Sequence, residues 1–333
     1  MNASPGLADI LDARRRIAPI ALRTPLLRAE ALSRRSGQDV FLKLETMQPT
    51  GAFKIRGAAN ALMRLSPERR HRGVVCASTG NHGRAVAFVA GRLGMRATVC
   101  LSALVPEAKA AAIAALGATV RRIGRSQDEA MAEVARAVAA EGRIEVPPFD
   151  DPSVIAGQGT IGFELAEDLP ELEAIIVPLS GGGLAGGIAL AAKALRPGIR
   201  VIGVSMEHGA AMRESLAAGR PVEVEEQPSL ADSLGGGIGR DNRWTFDLCR
   251  RLLDDAVLVS EAEIYRAIAH LLLEERLVAE GAAAVSAAAL LAGKVQLRGP
   301  TALILSGCNL DRHQLARIAS GASVRIGDRE VRG

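Results

Sequence analysis

Residues 174–192 read AIIVPLSGGGLAGGIALAA and are the most informative part of the sequence for its fold. They begin with an apolar run rich in β-branched residues, as in a strand buried on both faces of a parallel sheet. Glycines 181–183 follow, and then an apolar helical pattern. No charge interrupts the stretch, but three consecutive glycines and Pro178 would break a membrane-spanning helix. It therefore predicts a buried strand, a glycine loop and a helix packed on the sheet.

The glycine loop predicts a phosphate site. A loop without bulky side chains, followed directly by a helix, exposes backbone N–H groups to an anion, and a simple tight turn needs only one glycine. The loop also has a second interpretation, because Gly181, Gly183 and Gly186 satisfy G-x-G-x-x-G. Glu207 follows about 20 residues later, where a dinucleotide site has its ribose-binding acid. A nicotinamide-dependent dehydrogenase is therefore an alternative.

On both sides of this stretch, short apolar runs alternate with helical patterns. The predicted strands are 40–44, 73–77, 97–101, 119–123, 174–179, 200–204, 256–259 and 301–305. The predicted helices are 53–65, 81–93, 107–116, 127–140, 161–169, 184–195, 243–253, 261–275 and 282–291. Alternation of this kind predicts an α/β fold with two parallel-type open sheets and flanking helices.

The proline-rich segment 147–152 interrupts this alternation. We predict a large domain formed by residues 1–59 and 147–333, which carries the glycine loop, and a small mobile domain formed by residues 60–146. Residues 321–333 are predicted to be a short tail.

The composition excludes several classes of protein. An apolar content of 48% and a mean hydropathy of +0.17 exclude a disordered chain. Aromatic residues make up only 2%, too few for stacking on single-stranded nucleic acid. The net charge is +4, and basic and acidic residues are interspersed along the chain, so no nucleic-acid partner is expected. The four cysteines are far apart, which predicts reduced thiols in the cytoplasm. No membrane partner and no metal site are expected.

Lysine is scarce in this chain, because only five of its 41 basic residues are lysines. Chemistry that needs a neutral amine cannot use arginine. Lys54 lies at a predicted helix start, where the helix dipole disfavours an ammonium, so its amine is a candidate nucleophile for a Schiff base. A surface lysine on a first helical turn is the alternative.

Together these features resemble a known family, the fold-type II pyridoxal-phosphate enzymes of the serine/threonine dehydratase and serine racemase group. The resemblance rests on segments that keep the family's order: TGAFKIRGA (50–58), STGNHG (78–83), FDDP (149–152), AGQGT (156–160), SGGGL (180–184) and SGCN (306–309). It implies the tryptophan synthase beta-like fold, with pyridoxal 5′-phosphate bound in the large domain.

The resemblance also implies roles for individual residues. Lys54 would form the Schiff base with pyridoxal phosphate and act as the base at Cα. Phe53 would line the cofactor ring, Asn81 would hydrogen-bond its 3′-oxygen and Ser306 would face its pyridine nitrogen. The phosphate would be held by Ser180, Gly181, Gly182, Gly183 and Leu184. The substrate carboxylate would lie among Ser78, Thr79, Asn81 and His82.

Departures from the family pattern narrow these expectations. Thr79 is a candidate catalytic residue, because racemising relatives have a serine there as their opposite-face base; a racemase remains an alternative. Ser205 and Ala211 occupy the positions of the acidic metal ligands of metal-binding relatives, which supports the expectation of no metal site. Whether Glu207 supports a cation site is left open.

The implied activity is that of a pyridoxal-phosphate-dependent dehydratase, an ammonia-lyase that eliminates water from a hydroxy-amino acid. Arg84, in place of the usual glutamine, and segments 230–239 and 241–243 resemble hydroxyectoine-utilisation dehydratases, so hydroxyectoine catabolism is the predicted role. Residues 232–239 would then approach the cofactor. The alternatives are an L-threonine/L-serine ammonia-lyase, a 3-hydroxyaspartate dehydratase and a non-catalytic ligand-binding relative. Family members are commonly homodimers or homotetramers.

Overall fold

Two open sheets organise the chain. The computed structural model describes residues 4–78, 80–105 and 107–333, without the side chains of residues 127 and 128. The larger sheet consists of β1 (Leu26–Arg28), β2 (Val40–Leu44), β7 (Ala174–Pro178), β8 (Arg200–Met206), β9 (Asp255–Val259) and β10 (Thr301–Leu305). Its order is β1-β2-β10-β7-β8-β9, and every neighbouring pair is parallel except β1 with β2.

The smaller sheet is parallel throughout, in the order β5-β4-β3-β6. It consists of β3 (Val74–Ala77), β4 (Ala97–Leu101), β5 (Thr119–Arg122) and β6 (Ile144–Glu145). The predicted α/β class with two parallel sheets and flanking helices is therefore confirmed.

Helices surround the two sheets. They are α1 (Leu7–Ile17), α2 (Glu30–Ser36), α3 (Lys54–Met63), α4 (Pro67–His71), α5 (Asn81–Arg92), α6 (Glu107–Ala114), α7 (Gln127–Glu141), α8 (Pro152–Asp168), α9 (Gly183–Leu195), α10 (Ala211–Ala218), α11 (Thr245–Leu252), α12 (Glu261–Leu273), α13 (Gly281–Leu291) and α14 (Arg312–Ala319). Short 3₁₀ turns lie at Glu45–Met47 and Asp232–Leu234. In the part of the chain that the structure describes, no helix is both long and apolar enough to cross a membrane.

Helix α8 begins earlier than the pattern predicts. The prediction placed its start at residue 161, but the carboxylate of Asp151 caps the helix by accepting hydrogen bonds from the N–H groups of Ser153 and Val154. Glycines inside α8 obscured the helical pattern, and the structure explains them by packing. A Cβ on Gly157 would lie 2.5 Å from the Arg56 carbonyl oxygen, so α3 can approach α8 closely only at a glycine.

The prediction of a C-terminal tail is wrong. Residues 321–333 contain an antiparallel pair, β11 (Val324–Ile326) and β12 (Arg329–Val331). Val324, Ile326 and Val331 are buried in the apolar cluster that also includes helix α12. The hydroxyl of Tyr265 on α12 donates to the Ala322 carbonyl oxygen at 2.9 Å. The alternating valine and isoleucine side chains bury this segment against the large sheet's helices.

Candidate active site

Lys54 follows a segment that is bound to the loop after β10. It begins α3, directly after Phe53, whose N–H donates to the Ser306 carbonyl oxygen at 3.0 Å. Ala52 and Gly307 form an antiparallel bridge beside this bond. Because Ser306 follows the last residue of β10 and is itself buried, the lysine is anchored at the carboxyl end of a central strand. Ligand sites of open parallel sheets form at this edge.

The amine of Lys54 is poorly solvated. Its Nζ donates to the Pro148 carbonyl oxygen at 2.7 Å and lies 5.3 Å from the centre of the Phe53 ring. Burial lowers the pKa of Lys54 to about 8. A lysine in an apolar pocket near neutral pH carries a useful fraction of the nucleophilic, uncharged amine.

This lowered pKa predicts selective chemical labelling of Lys54 in the cofactor-free protein. With acetic anhydride, the pH midpoint for acetylation of Lys54 should lie near 8 in the native chain. In urea it should move to about 10.4, the ordinary value for lysine, because unfolding restores the water that favours the ammonium. Quantitative peptide mass spectrometry measures both midpoints, and equal midpoints in the native and unfolded chain would contradict the lowered pKa.

The glycine loop packs against Phe149, the residue after the hydrogen-bond acceptor of Lys54. Gly182 has φ of +84°, a left-handed conformation that favours glycine, and Gly183 begins α9. A Cβ on Gly181 would lie 2.3 Å from the Phe149 ring. Phe149 follows Pro148, the hydrogen-bond acceptor of Lys54, so a single two-residue segment contacts both the lysine and the loop. Leu184 packs its side chain into the core, and Ser180 is half-buried at the rim.

The arrangement fits a phosphorylated aldehyde cofactor. The first N–H groups of a helix have no intrahelical acceptor, and the positive end of the α9 dipole favours an anion. The loop's glycines present backbone rather than side chains. An amine nucleophile with a lowered pKa is a neighbour of this anion cradle. A group that bears both an aldehyde and a phosphate matches this pair of features.

Asp150 and Asp151 of the FDDP segment have structural roles. The Asp150 carboxylate accepts hydrogen bonds from the N–H groups of Arg243, Trp244 and Thr245, the last of which begins α11. Asp151 caps α8, as described above. These two caps anchor the C-terminal end of the segment that carries Pro148 and Phe149, which contact Lys54 and the glycine loop.

The predicted carboxylate loop follows β3. The Ser78 hydroxyl accepts hydrogen bonds from the N–H groups of Gly80, at 3.2 Å, and Gly83, at 2.9 Å, so it shapes the loop. Thr79, the predicted catalytic hydroxyl, lies outside the described residues. Asn81 begins α5 and is buried, with its Nδ2 donating to the Glu280 carboxylate at 2.7 Å.

His82 is a neutral hydrogen-bond acceptor. Its Nε2 lies 2.8 Å from the Val146 carbonyl oxygen, which only accepts, so Nε2 carries the proton. Burial, reinforced by the charge of Lys54, lowers the pKa of His82 to about 3. Its Nδ1 is buried and has no partner among the described residues. This nitrogen can receive a hydrogen bond from a hydroxyl or an ammonium, but it cannot donate one to a carboxylate.

Glu280 is a site residue that the sequence analysis missed. It is 5% exposed, and its N–H donates to the Gly307 carbonyl oxygen, which places it beside the loop after β10. Burial raises the pKa of Glu280 to about 7, with a further contribution from Asp232, while the hydrogen bond from Asn81 opposes the rise. The only signal in the sequence is a single acid before an apolar helix, which a helix cap explains equally well.

The remaining candidate residues lie away from this centre. Glu207 follows β8, and its carboxylate lies 3.6 Å from the Lys294 ammonium. Ser205 is buried within β8. Within the ranges that the structure describes, no three His, Cys, Asp or Glu side chains converge as metal ligands would.

Comparison with known proteins identifies the family. A family model described as "Pyridoxal-phosphate dependent enzyme" matches residues 17–307. The chain is 56% identical over 306 residues to a "Putative threonine dehydratase" of Sinorhizobium fredii, covering 92% of each protein. It is 42% identical to an "L-threonine ammonia-lyase" of Thermotoga maritima, covering 96% of this chain and 80% of that protein.

Solved structures agree with this assignment. Maize serine racemase superimposes with a TM-score of 0.89 at 32% identity, covering 95% of this chain and 97% of that one. The threonine deaminase isoform 2 of Solanum lycopersicum superimposes with a TM-score of 0.87 at 34% identity, covering 96% and 95%. No support remains for the dinucleotide interpretation of the glycine loop. The chain therefore belongs to the family of pyridoxal-phosphate-dependent enzymes, with the fold type II architecture, pyridoxal phosphate as its cofactor and the threonine dehydratase-like ammonia-lyases as its relatives.

Proposed function

We propose that this enzyme removes water and then ammonia from a hydroxy-amino acid, with Lys54 as the residue that holds the cofactor and moves the Cα proton. The observation that carries the proposal is the position of the Lys54 amine, which the segment Pro148–Phe149 joins to the glycine loop. The same amine has a pKa lowered to about 8 by burial. A base with that pKa can accept a proton near neutral pH.

The chemistry divides between the cofactor and the chain. When bound, pyridoxal phosphate withdraws electrons from Cα of the amino acid and makes its proton acidic. The Lys54 amine accepts this proton. A hydroxyl on Cβ donates a hydrogen bond to the open Nδ1 of His82, and this contact orients the leaving group. The Lys54 ammonium then gives this proton to the departing hydroxyl group, which leaves as water. The enamine that is released takes up a water molecule and hydrolyses to a 2-keto acid and ammonia.

Ser306 supports elimination rather than transamination in this proposal. We place its hydroxyl opposite the pyridine nitrogen, as the family resemblance implies. A hydroxyl leaves that nitrogen less protonated than a carboxylate does, which weakens electron withdrawal by the ring. Elimination of a β-hydroxyl group requires less electron withdrawal by the ring than transfer of the amino group does.

For the substrate, we propose a hydroxy-amino acid derived from hydroxyectoine. Arg84 and segments 230–239 and 241–243 support this choice through their subfamily resemblance. L-Threonine is the competing substrate, because the Thermotoga maritima relative is an "L-threonine ammonia-lyase". A third candidate comes from a 38% identical protein of Saccharomyces cerevisiae, an "L-threo-3-hydroxyaspartate ammonia-lyase".

A substrate panel tests both the reaction and its specificity. The purified enzyme is incubated with L-threonine, L-serine, L-threo-3-hydroxyaspartate and hydroxyectoine-derived hydroxy-amino acids. The 2-keto acid and the ammonia that form are both measured, and we expect equal amounts of the two. We expect the highest kcat/KM for a hydroxyectoine derivative. If kcat/KM were highest for L-threonine, the proposed reaction would stand, but L-threonine would be its substrate instead of a hydroxyectoine derivative. D-Serine without keto acid would indicate a racemase, and cofactor binding without turnover of any compound would indicate a non-catalytic relative.

Substitution of Gly181 with alanine tests the phosphate cradle. The new Cβ would lie 2.3 Å from the Phe149 ring, so either the ring or the loop must move. Overpacking of this kind costs about 1–3 kcal/mol, and we expect the dissociation constant of pyridoxal phosphate to rise about tenfold to a hundredfold. Equilibrium titration with the cofactor measures the constant. Gly198→Ala is the matched control, because no atom lies within 4 Å of its added Cβ. Equal cofactor affinities for the two variants would contradict the cradle.

Three further sequence predictions remain proposals: a small mobile domain of residues 60–146, a homodimer or homotetramer, and a cytoplasmic location. In support of domain closure, Lys109 on α6 pairs with Asp232 at 2.7 Å, a contact between a helix beside the small sheet and the glycine-rich segment 230–239. X-ray scattering with and without substrate measures closure, and light scattering measures the oligomer.

A further inference from the structure

Four side chains form a continuous row of hydrogen bonds that contacts the segment before Lys54 at Thr50. Arg84 on α5 donates from Nη1 to Oδ1 of Asn309 at 2.7 Å. Asn309 donates from Nδ2 to Oδ1 of Asn81 at 2.6 Å, and Asn81 donates from Nδ2 to Oε1 of Glu280 at 2.7 Å. The row joins the helix after β3 to the loop after β10 and to the residue before α13.

The arginine end sets the direction of the row. An asparagine amide can be reversed without changing its shape, so the direction must come from its neighbours. Arginine only donates, so Asn309 turns its oxygen toward Arg84 and its NH₂ group toward Asn81. Asn81 therefore accepts with its oxygen and turns its own NH₂ group toward Glu280. Asn309 Nδ2 also donates to the Thr50 carbonyl oxygen at 2.9 Å, which holds the same orientation from a third side.

This direction limits what Asn81 can offer a ligand. Its oxygen already accepts from Asn309, and one of its two N–H bonds is directed at Glu280. Among the described residues, the second N–H has no acceptor and can donate to a ligand. Asn81 is thus prepared as a hydrogen-bond donor, the partner that an anionic oxygen of a ligand requires.

We propose that Arg84 and Glu280, the first acting through Asn309, are positioning residues that hold Asn81 as a hydrogen-bond donor to the phenolic oxygen of the bound cofactor. The inference rests on the proposed function and on the cofactor contact that the family resemblance implies for Asn81. It gives Arg84 a task beyond its subfamily resemblance. It also explains a buried carboxylate that the proposed reaction does not otherwise use.

Two substitutions distinguish a positioning role of these residues from a role in packing alone. Removing Arg84 leaves only the Thr50 carbonyl oxygen, among the described contacts outside the row, to orient Asn309, so Asn81 is held less firmly. Changing Glu280 to methionine removes the oxygen that accepts the hydrogen bond from Asn81. Either change reduces the hydrogen bond to the phenolic oxygen and alters the electron distribution of the cofactor. The visible absorption of the bound cofactor reports that distribution directly.

The test uses the holoenzyme and its variants Arg84→Met, Arg84→Lys, Glu280→Met and Asn309→Ala. At one fixed pH, we expect the ratio of the cofactor's visible absorption bands to change in Arg84→Met and Glu280→Met. The dissociation constant of pyridoxal phosphate should rise about tenfold in each. Arg84→Lys keeps a cationic donor and should restore part of the wild-type spectrum. In an Asn309→Ala background, Arg84→Met should have no further effect, because the row is already broken.

Controls distinguish this inference from the proposed function. Arg92→Met removes an exposed arginine from the same helix and should match wild type in spectrum and cofactor affinity. Thermal melting of the cofactor-free variants shows that each has folded. The positioning role would be overturned, and the proposed function would stand, if Arg84→Met had a wild-type spectrum. The same holds if Arg84→Met had its full effect in the Asn309→Ala background. A wild-type protein that fails to bind pyridoxal phosphate would overturn the proposed function itself.

Discussion

Substitution of Lys54 with alanine is expected to lower ammonia release at least about a thousandfold and to prevent covalent attachment of the cofactor. The variant lacks the amine that bonds to the cofactor and accepts the Cα proton, and no other described lysine is placed beside the glycine loop. The phosphate cradle stays intact, so we expect residual, non-covalent binding of pyridoxal phosphate. Ammonia assays and visible spectra of wild type and variant measure the two effects.

Borohydride reduction followed by peptide mapping identifies the lysine directly. In the wild-type holoenzyme, the reduced adduct should lie on the peptide that contains Lys54. Lys193→Ala is the matched control, because Lys193 is paired with Asp254 near the far end of α9 and should carry no adduct. An adduct on any other lysine, or undiminished ammonia release in Lys54→Ala, would refute the assignment of the site.

The sequence predicted the sheets well, because buried parallel strands are continuous apolar runs. The bounds of β2, β4 and β10 agree with those predicted. Strands without that signal were missed: β6 has two residues, and β1 pairs at the sheet edge through a half-exposed leucine-rich segment. Their pairing depends on neighbours that are distant in the chain, so local periodicity does not predict them.

The 35 glycines of the chain include two kinds with different physical causes, and only one kind was predicted from the sequence. Gly181 and Gly182 lie in the predicted loop. Gly157 and Gly162 instead lie inside α8, where an added Cβ would meet a carbonyl oxygen of α3 or of α9, each at 2.5 Å. Glycines of the loop and glycines inside α8 both allow another part of the backbone to approach closely. Only the packing of the helices shows whether a given glycine serves a loop or a helix contact.

The polar side chains of the site depend on contacts that a sequence pattern does not contain. Motif positions located Asn81 and His82, but they gave no information about hydrogen-bond direction. That direction follows from the Val146 carbonyl oxygen for His82 and from the NH₂ group of Asn309 for Asn81. Both partners come from segments far away in the sequence. The fold therefore determines whether each side chain donates or accepts.

Arg56, two residues after the candidate catalytic lysine, illustrates a motif residue with a structural task. It is 1% exposed and donates two hydrogen bonds to Glu45 and two to Glu164. Lys43 adds a second buried cation 2.8 Å from Glu164. These contacts join α3 to α8 and to the turn after β2. Burial by itself raises the pKa of Glu45, but the charge and hydrogen bonds of Arg56 outweigh it and hold that pKa below its usual range.

We expect Arg56→Met to destabilise the fold by about 3–5 kcal/mol, because it leaves buried carboxylates without their partner. The melting temperature should fall by on the order of 10 °C. Differential scanning calorimetry of the cofactor-free protein measures this without any contribution from ligand binding. Arg136→Met is the matched control: Arg136 also bridges two glutamates, Glu133 and Glu141, but at the surface, where such pairs contribute little.

The loss should depend on pH with a definite sign. In wild type, the pKa of Glu45 is lower in the folded state, so its stabilising effect is present above the unfolded value near 4.3 and is lost as the pH falls through the folded value. Without Arg56, burial dominates and the folded pKa rises above the unfolded one, so acid then favours the folded variant by neutralising the carboxyl group. The difference in unfolding free energy between wild type and Arg56→Met should therefore shrink as the pH is lowered from 7 toward about 4. A deficit that is independent of pH, or one no larger than that of Arg136→Met, would show that the arginine contributes packing rather than charge.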